Sequence, residues 1–541
     1  MVNDDIISDD FDEGMYLDIL RDDPPLKRYV SRGDTPDDVD ISGPHEEADA
    51  AISRVIRFTK SDETPRFQPV LGSAGMGKTH LFWVTKDREE YMTPGPFLTV
   101  YVPSPPSPIR VPLHFYACLV DEAGDNIFKT TARMLLEKFG EMKGVFRQHY
   151  DFSEVMNKAA SDYPGISADV VKVILRYELD EKKKPLARRW LLADALSDEE
   201  LDELDVRTIL EEDDIVTAAF KLLAEGSERP LVLFVDEMEG PFNTHGEEGE
   251  RQFLEVIKRL YNECQNVVII ASCLSEIWDR IYHIADAPMR SRMETPVTLR
   301  HFSRDDVEEF VRETMIRYWE EQNIDTPTND IFPMKPEDID AAFEASNGVP
   351  REAIRQVITR LDTILFGTRA EPDLPPQDDY VVKLTANVVV GAIIKGLTLA
   401  ADSKGIEVSL HVASGNVGKQ ATAIVLVKHD SVEHFIGIDV PNVKDWNRSG
   451  GVGAYYSAKR LNDLIESGDC EKAIMAVPEE TSGAKFESLS EELGEDLFTL
   501  LLDEESAMAL VKITNSDQLT PNLSEFFNHI LTNLFEISEE N

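Results

Sequence analysis

The stretch "VLGSAGMGKTHLFW", residues 70–83, decides the fold, because it joins a short apolar run to a segment with helical character. Residues 72–79 match the pattern G-x-x-x-x-G-K-[ST] at every fixed position. The glycines allow successive backbone N–H groups to turn inward, where they bind phosphates together with the N-terminus of the next helix. The stretch therefore predicts a phosphate-binding loop between a strand and a helix.

Two residues at the end of this loop have specific expected roles. Lys78 is expected to reach the β- and γ-phosphates of ATP, and the Thr79 hydroxyl is expected to ligate Mg²⁺. The residues expected to contact the nucleotide are Gly72, Ser73, Ala74, Gly75, Met76, Gly77, Lys78, Thr79 and His80.

The stretch "LVLFVDEMEG", residues 231–240, adds an acidic pair after an apolar run. The pattern places Asp236 and Glu237 at the carboxyl end of a buried strand, beside the phosphate loop. Asp236 is expected to hold Mg²⁺ through water, and Glu237 is expected to polarise the attacking water as a general base. A salt-bridged acidic strand end would explain the pair only without the upstream loop. The two stretches together predict ATP hydrolysis.

Apolar runs also occur at 97–103, 230–237, 266–272 and 295–299, with helical patterns between them. Near-continuous apolar strands that alternate with helices indicate an α/β fold with a parallel sheet covered on both faces. The predicted divisions are a mobile or loosely docked acidic arm (1–40), a P-loop core (41–300) with a helical insertion (about 106–226), a helical lid (301–365), a linker (366–380), a smaller α/β domain (381–515) and a C-terminal amphipathic helix (516–541).

Composition limits what these motifs can mean. The 541-residue chain is 42% hydrophobic and should bury two or three cores. No apolar run approaches the roughly 20 residues of a membrane helix, and the acidic N-terminus does not resemble a signal peptide, so a cytoplasmic location is expected. The four cysteines lack Cys-x-x-Cys spacing and are expected to be reduced. The net charge of −47 disfavours non-specific nucleic-acid binding.

One basic cluster, at 182–189 within "EKKKPLARRW", interrupts the acidic chain. It is interpreted either as a solvated helix face or as a contact for nucleic acid or an acidic partner. The sequence leaves both interpretations open.

The order of phosphate loop, acidic pair, third apolar strand, arginines and helical lid resembles the AAA+ ATPases, particularly their origin-recognition and STAND-like branches. The resemblance implies that Ser272, or else Cys273, is a polar sensor of the γ-phosphate or attacking water. It implies that Arg290 and Arg292 are candidates for an arginine finger that enters a neighbouring subunit's site; ordinary helix-terminal arginines are the alternative. Arg351 in "NGVPRE" would be a second sensor that couples lid angle to the nucleotide, or else a structural salt bridge.

A further resemblance covers "PLARRWLLADALSDEELDEL" (185–204) followed by "VLFVDEMEG" (232–240). This combination is similar to ATP-binding proteins of bacteriophage-exclusion and related prokaryotic systems. The resemblance implies a role in DNA transactions or antiviral defence.

The C-terminal domain resembles the restriction-endonuclease-like fold in its order of helix, three strands, helix and strand. Thr422 or Ala423 occupies the position of the first acidic residue of that family, and the third strand ends in Asp439 without the family's lysine. Lys444 follows too late unless the chain bends back. Nuclease activity is therefore not expected, and a non-cleaving module that binds nucleic acid or protein is predicted, with a plain oligomerisation domain as the alternative.

These observations predict a Mg²⁺-dependent AAA+ ATPase that self-associates and meets DNA or protein through its C-terminal domain or the 182–189 cluster. One alternative is a STAND-like switch, in which ATP binding and assembly matter more than turnover. Another is a protein-remodelling ATPase with no nucleic-acid partner.

Overall fold

The computed structural model describes most of the chain. The described ranges are 10–27, 29–35, 39–91, 95–140, 151–194, 196–367, 384–412, 421–443, 446–447, 451–516 and 518–535. Most of the predicted linker (366–380) and Lys444 lie outside these ranges.

The first sheet has five parallel strands in the order β2-β3-β4-β1-β5. The strands are β1 (Arg66–Leu71), β2 (Leu98–Val102), β3 (Leu231–Val235), β4 (Val267–Cys273) and β5 (Val297–Thr298). Both faces of β3 are buried, because Leu233 packs into the core on one side and Phe234 into the core on the other. The predicted α/β class with a parallel-sheet core is confirmed.

Sixteen helices accompany this sheet in residues 10–367 of the described chain. They are α1 (Asp10–Asp22), α2 (Glu46–Asp62), α3 (Lys78–Glu90), α4 (Val111–Ala123), α5 (Asn126–Phe139), α6 (Phe152–Asp162), α7 (Ile166–Leu179), α8 (Lys184–Leu191), α9 (Asp198–Leu204), α10 (Asp213–Glu225), α11 (Gly240–Glu263), α12 (Trp278–Ile284), α13 (Ala287–Arg290), α14 (Arg304–Glu321), α15 (Pro336–Ser346) and α16 (Pro350–Phe366). Helices α4–α10 form the helical insertion between β2 and β3.

The lid consists of α14, α15 and α16. Helix α14 begins as the sequence indicates, with a capping box in which Ser303 and Asp306 each bind the other's backbone N–H. The lid core also contains Leu20 of α1, which is fully buried. The acidic arm was expected to be mobile or loosely docked. The structure differs, because the apolar face of α1 packs against the lid and Arg21 donates a hydrogen bond to the Leu365 carbonyl.

The second sheet follows in a smaller α/β domain with the strand order β10-β9-β8-β7-β6. Its strands are β6 (Glu407–His411), β7 (Ala423–His429), β8 (Val432–Asp439), β9 (Lys472–Pro478) and β10 (Leu497–Leu502). Its helices are α17 (Ala386–Asp402), α18 (Gly451–Ser467), α19 (Ala484–Leu493), α20 (Glu504–Ser516) and α21 (Pro521–Phe535). The predicted order of elements is observed through β9, whereas α19, β10 and α20 were not predicted. The predicted C-terminal helix docks on this chain, since α21 packs against α17.

A buried group of charges joins the insertion to the second domain. Asp439, at the end of β8, accepts hydrogen bonds from Arg110 (2.6 Å) and Arg460 (2.8 Å), and from the hydroxyls of Thr422 (2.8 Å) and Ser457 (3.0 Å). Burial alone would raise the pKa of Asp439, but the two guanidinium groups lower it below its usual value. The carboxylate is therefore ionised and fully occupied by partners within the chain.

This environment bears on the restriction-endonuclease-like interpretation. A nuclease carboxylate must face a metal ion and substrate, whereas Asp439 is 0% exposed and bound by two arginines. The resemblance of the second domain to that fold remains a prediction.

None of the four cysteines forms a disulfide, in agreement with the expectation from their spacing.

Among the helices of the described residues, none combines the length and apolarity that a membrane span requires.

We expect Asp439→Ala to destabilise the fold by about 3–5 kcal/mol, because it leaves two buried guanidinium groups without their carboxylate. The loss is measured as the change in unfolding free energy by urea titration. Asp463→Ala, on the exposed side of α18, is the matched control and should change little. An unchanged midpoint for Asp439→Ala would contradict a structural role for the cluster.

Candidate phosphate-binding and acidic site

The phosphate loop has the geometry that its sequence predicts. It follows β1 and runs into α3, which begins at Lys78. Gly75 and Gly77 adopt φ values of +81° and +87°, which L side chains rarely adopt. The Lys78 ammonium donates hydrogen bonds to the carbonyls of Gly72 (2.9 Å) and Ser73 (3.3 Å). The Lys78 side chain therefore lies against the phosphate loop.

Asp236 lies at the centre of the site because β3 runs between β2 and β4. Its carboxylate accepts hydrogen bonds from Thr79 of the loop (2.6 Å), Ser272 of β4 (2.6 Å) and Tyr101 of β2 (3.0 Å). It also accepts the backbone N–H of Glu237 (3.0 Å). The two predicted motifs therefore meet through a direct hydrogen bond.

Two further carboxylates face the same space. Glu237 has a positive φ of 54°, which is uncommon for a residue with a side chain and is found often at functional sites. Partial desolvation and the neighbouring Asp236 and Glu239 raise the pKa of Glu237, while Lys78 and Arg351 lower it. Burial also raises the pKa of Glu239, whose carboxylate accepts the Leu274 N–H (3.4 Å). A raised pKa strengthens a carboxylate as a base.

The predicted sensor residue is placed behind the acidic pair. Ser272 is 0% exposed and its hydroxyl donates to Asp236, so it positions that carboxylate. Its contact with a γ-phosphate stays a prediction. Cys273, the alternative, is buried with its thiol directed to the Leu274 carbonyl. Tyr101 was not predicted, because its part in the site depends on the adjacency of β2 and β3, which the sequence does not show.

The lid closes over the phosphate loop. The Arg351 backbone N–H, in the first turn of α16, donates to the Gly75 carbonyl (3.0 Å). The Arg351 side chain lines the same cavity as the loop and Glu237. The structure thus places Arg351 beside the predicted site, and its contact with a phosphate stays a prediction.

The two arginine-finger candidates lie elsewhere. Arg290 stacks on Tyr282, and Arg292 lies over Tyr261 and hydrogen-bonds Asn262. Neither lines the cavity described above. Their entry into a neighbouring subunit's site stays a prediction.

A cavity of about 860 Å³ contains the predicted site. Its walls are formed by residues 74–80 of the loop, the acidic pair, the lid and a set of N-terminal residues, 23–27, 29–31, 35, 39, 41 and 44–45. Ligand cavities that hold drug-sized molecules occupy about 300–1,000 Å³. The volume is therefore sufficient for a bound nucleotide.

The N-terminal wall was missed by the sequence analysis. Trp83 of α3 donates its indole N–H to the Arg32 carbonyl (2.6 Å), and His80 lies 2.9 Å from an Asp40 oxygen. Gly33 packs so closely on Tyr101 that a Cβ would lie 2.1 Å from the ring. These contacts place Arg32 and Asp40 on the helix that follows the phosphate loop, and Gly33 on β2.

The basic cluster at 182–189 is engaged within the chain. Arg188 forms an ion pair with Asp125 (2.9 Å), and Arg189 pairs with Glu200. Lys183 donates to the backbone carbonyl of Glu203. These contacts within the chain favour the interpretation of the cluster as a solvated helix face rather than as a contact for a partner.

Comparisons with known proteins find no matching family model and no matching curated protein. Among solved structures, the chain is similar to the Walker-type ATPase of Pyrococcus abyssi, at 17% identity and TM-score 0.29, over 63% of this chain and 71% of that chain. It is similar to the ORC2 protein of Aeropyrum pernix, solved as ADPNP-ADP complexes, at 10% identity and TM-score 0.33, over 94% of this chain and 98% of that chain. It is also similar to the ORC1 protein of Aeropyrum pernix in complex with DNA, at 12% identity and TM-score 0.29, over 73% of this chain and 91% of that chain. These low values assign neither an activity nor a partner to this chain.

The variants Gly75→Ala and Gly77→Ala separate backbone strain from lid contact. Both glycines have a positive φ, so alanine costs about 1–2 kcal/mol at either position. Only at Gly75 does the added Cβ meet the lid, 3.0 Å from the Cβ of Arg351; at Gly77 the nearest atom is 3.8 Å away. We therefore expect faster amide hydrogen exchange in the first turn of α16 for Gly75→Ala than for Gly77→Ala, measured by mass spectrometry. Equal exchange in the two variants would contradict a lid seated on Gly75.

Proposed function

We propose that the chain is a Mg²⁺-dependent AAA+ ATPase, whose lid and C-terminal domain respond to the nucleotide. The observation that carries the proposal is the direct hydrogen bond between Thr79 of the phosphate loop and Asp236 of the acidic pair, with Glu237 exposed on the same cavity. A glycine-rich loop alone binds phosphate, whereas the adjacent base and metal-binding groups support hydrolysis.

The residues of the site fit a magnesium ion. Mg²⁺ prefers oxygen ligands and usually retains several waters. Thr79 donates its proton to Asp236, which leaves the oxygen lone pairs of the hydroxyl directed away from the carboxylate and available to a cation. Thr79 and Asp236 would hold the ion, which would neutralise charge on the phosphates.

The other roles in ATP hydrolysis would fall to Lys78, Glu237 and Arg351. Lys78 lies at the start of α3, where its ammonium and the helix N-terminus attract phosphate oxygens. Glu237 would accept a proton from the attacking water, and its raised pKa suits this role. Arg351 would bring positive charge from the lid to the phosphates.

A short loop supports coupling of the site to the second domain. Residues 103–110 leave the end of β2 beside the acidic pair. Gly240, which follows that pair, packs on Ser104 so closely that a Cβ would lie 1.9 Å from its hydroxyl. Gly391 of α17 also packs closely on the loop, since a Cβ there would lie 2.4 Å from the Pro106 carbonyl oxygen. A shift at the acidic pair would therefore press on both the loop and α17. Arg110, at the end of the loop, holds the loop to the second sheet.

We expect Glu237→Gln to retain ATP binding and to lower the hydrolysis rate by about 10²–10⁴-fold, because it removes the general base and keeps the side-chain shape. Steady-state phosphate release and binding of a fluorescent ATP analogue give the two readouts. Lys78→Ala is the contrasting variant, in which binding itself should be lost. ATP affinity equal to wild type in Lys78→Ala would contradict the assignment of the loop.

We propose DNA transactions or genome defence as the setting, with self-association through a site that Arg290 or Arg292 completes. This setting is supported by the order of the motifs and by the stretch at 185–204, which precedes the acidic pair in the chain. The ion pairs within the 182–189 cluster favour contact through the C-terminal domain rather than through that cluster.

We expect duplex DNA at low salt, where electrostatic binding is strongest, to raise the ATP hydrolysis rate. Slow turnover with ATP-driven assembly, measured by light scattering, would favour the STAND-like switch instead. A rate and an assembly state that DNA leaves unchanged would favour a protein-remodelling ATPase.

A further inference from the structure

Three side chains with metal-binding atoms meet beside the phosphate loop. Within the described part of the chain, Asp40, His45 and His80 form the one group of this kind, and their ligand atoms all lie within 4.8 Å of one another. One oxygen of Asp40 lies 2.7 Å from Nε2 of His45 and 2.9 Å from Nε2 of His80. Three side chains that can ligate a metal ion, from two separate segments, therefore meet at one point.

The group has the second layer of contacts that metal-binding histidines usually have. Nδ1 of His45 lies 2.9 Å from Asp49, which in turn accepts a hydrogen bond from Arg88 (2.6 Å). A histidine whose second ring nitrogen binds a carboxylate has a fixed ring orientation and a more basic ligand nitrogen. The ring of His45 is thus oriented with Nε2 toward Asp40 and His80.

His45 is 7% exposed, and its ring is held between Asp40 on one side and Asp49 on the other. Zinc binds only the neutral imidazole, so a zinc ion at this point would displace the proton that lies between Nε2 of His45 and Asp40.

We propose that Asp40, His45 and His80 form a zinc site that fastens the N-terminal segment to the helix of the phosphate loop. Two imidazole nitrogens and one carboxylate oxygen are the ligand set of zinc sites with three protein ligands and one open position. Both histidines line the cavity of the phosphate loop, so the open position faces that cavity. The proposal is independent of ATP hydrolysis.

Zinc at this position would have a structural consequence for the cavity. Asp40 and His45 belong to the N-terminal segment, whereas His80 lies in the first turn of α3. A zinc ion would replace the hydrogen bonds between these segments with coordinate bonds. Binding to the folded state alone would raise the free energy of unfolding with the logarithm of the zinc concentration relative to its dissociation constant.

The test is a zinc titration of the full chain, stripped of metal with a chelator, against a chromophoric zinc indicator and without nucleotide. We expect one tightly bound equivalent and a higher melting temperature with zinc. Asp49→Asn, which removes only the outer carboxylate, should lower the affinity by about 10–100-fold. His45→Gln and His80→Gln, which each remove a ligand, should lower it further and abolish the rise in melting temperature.

Two controls separate this site from other zinc-binding positions. His434→Gln removes another histidine that is paired with a carboxylate, Glu471 (2.6 Å), and should retain the equivalent. Asp236→Asn removes the predicted magnesium ligand and should also retain it. Loss of the equivalent in Asp236→Asn but not in His45→Gln would place zinc at the phosphate loop and overturn the proposal.

X-ray absorption at the zinc edge gives a readout that does not depend on the stability of variants. We expect imidazole scattering with nitrogen and oxygen donors at about 2.0–2.2 Å. Asp40→Asn, at a half-exposed position, offers a second ligand variant if a histidine variant does not fold. Zinc binding equal to wild type in Asp40→Asn, or a spectrum without imidazole, would show that the three residues form only a hydrogen-bonded network.

Discussion

The hydrogen bonds of Asp236 are the interaction on which the site depends. An ionised carboxylate offers about four acceptor positions, and four donors from three strands' ends and one helix converge on this one. The strand order makes this possible, since β3 lies between β2 and β4 while β4 also pairs with β1. A change in the position of Asp236 therefore moves Thr79 and the backbone of Glu237 together. The loop and the residue proposed as the general base are held as one unit.

A second carboxylate, Asp439, has a comparable role between domains. Pairing a buried carboxylate with Arg110 and Arg460 offsets the large cost of removing all three charges from water. Because both arginines occupy the carboxylate, Asp439 does not have the surroundings of a nuclease site. Its partner Arg110 is the N-cap residue of α4, so the insertion and the second domain are joined at the loop that leaves β2.

Local sequence signals predicted the parts of the structure that local chemistry determines. The phosphate loop, the acidic pair, the buried strands and the capping box of α14 each depend on residues close in the chain. The contacts of Tyr101, of Arg110 and of the N-terminal wall depend instead on which strands and domains become neighbours in the fold. Asp and Pro content suggested a loosely docked arm, because composition does not show that Leu20 completes the core of the lid.

The shared core of arm and lid has a consequence for how the cavity opens. Leu20 of α1 packs within the lid, while Asp40 of the same arm contacts His80 of α3. Arg351 of the lid contacts Gly75 on the other side of the cavity. A lid that moves away from Gly75 must therefore either carry α1 with it, and so pull on the contacts between the arm and α3, or lose the burial of Leu20. The arm thus links the lid to α3 through two contacts, that of Arg32 with Trp83 and that of Asp40 with His80.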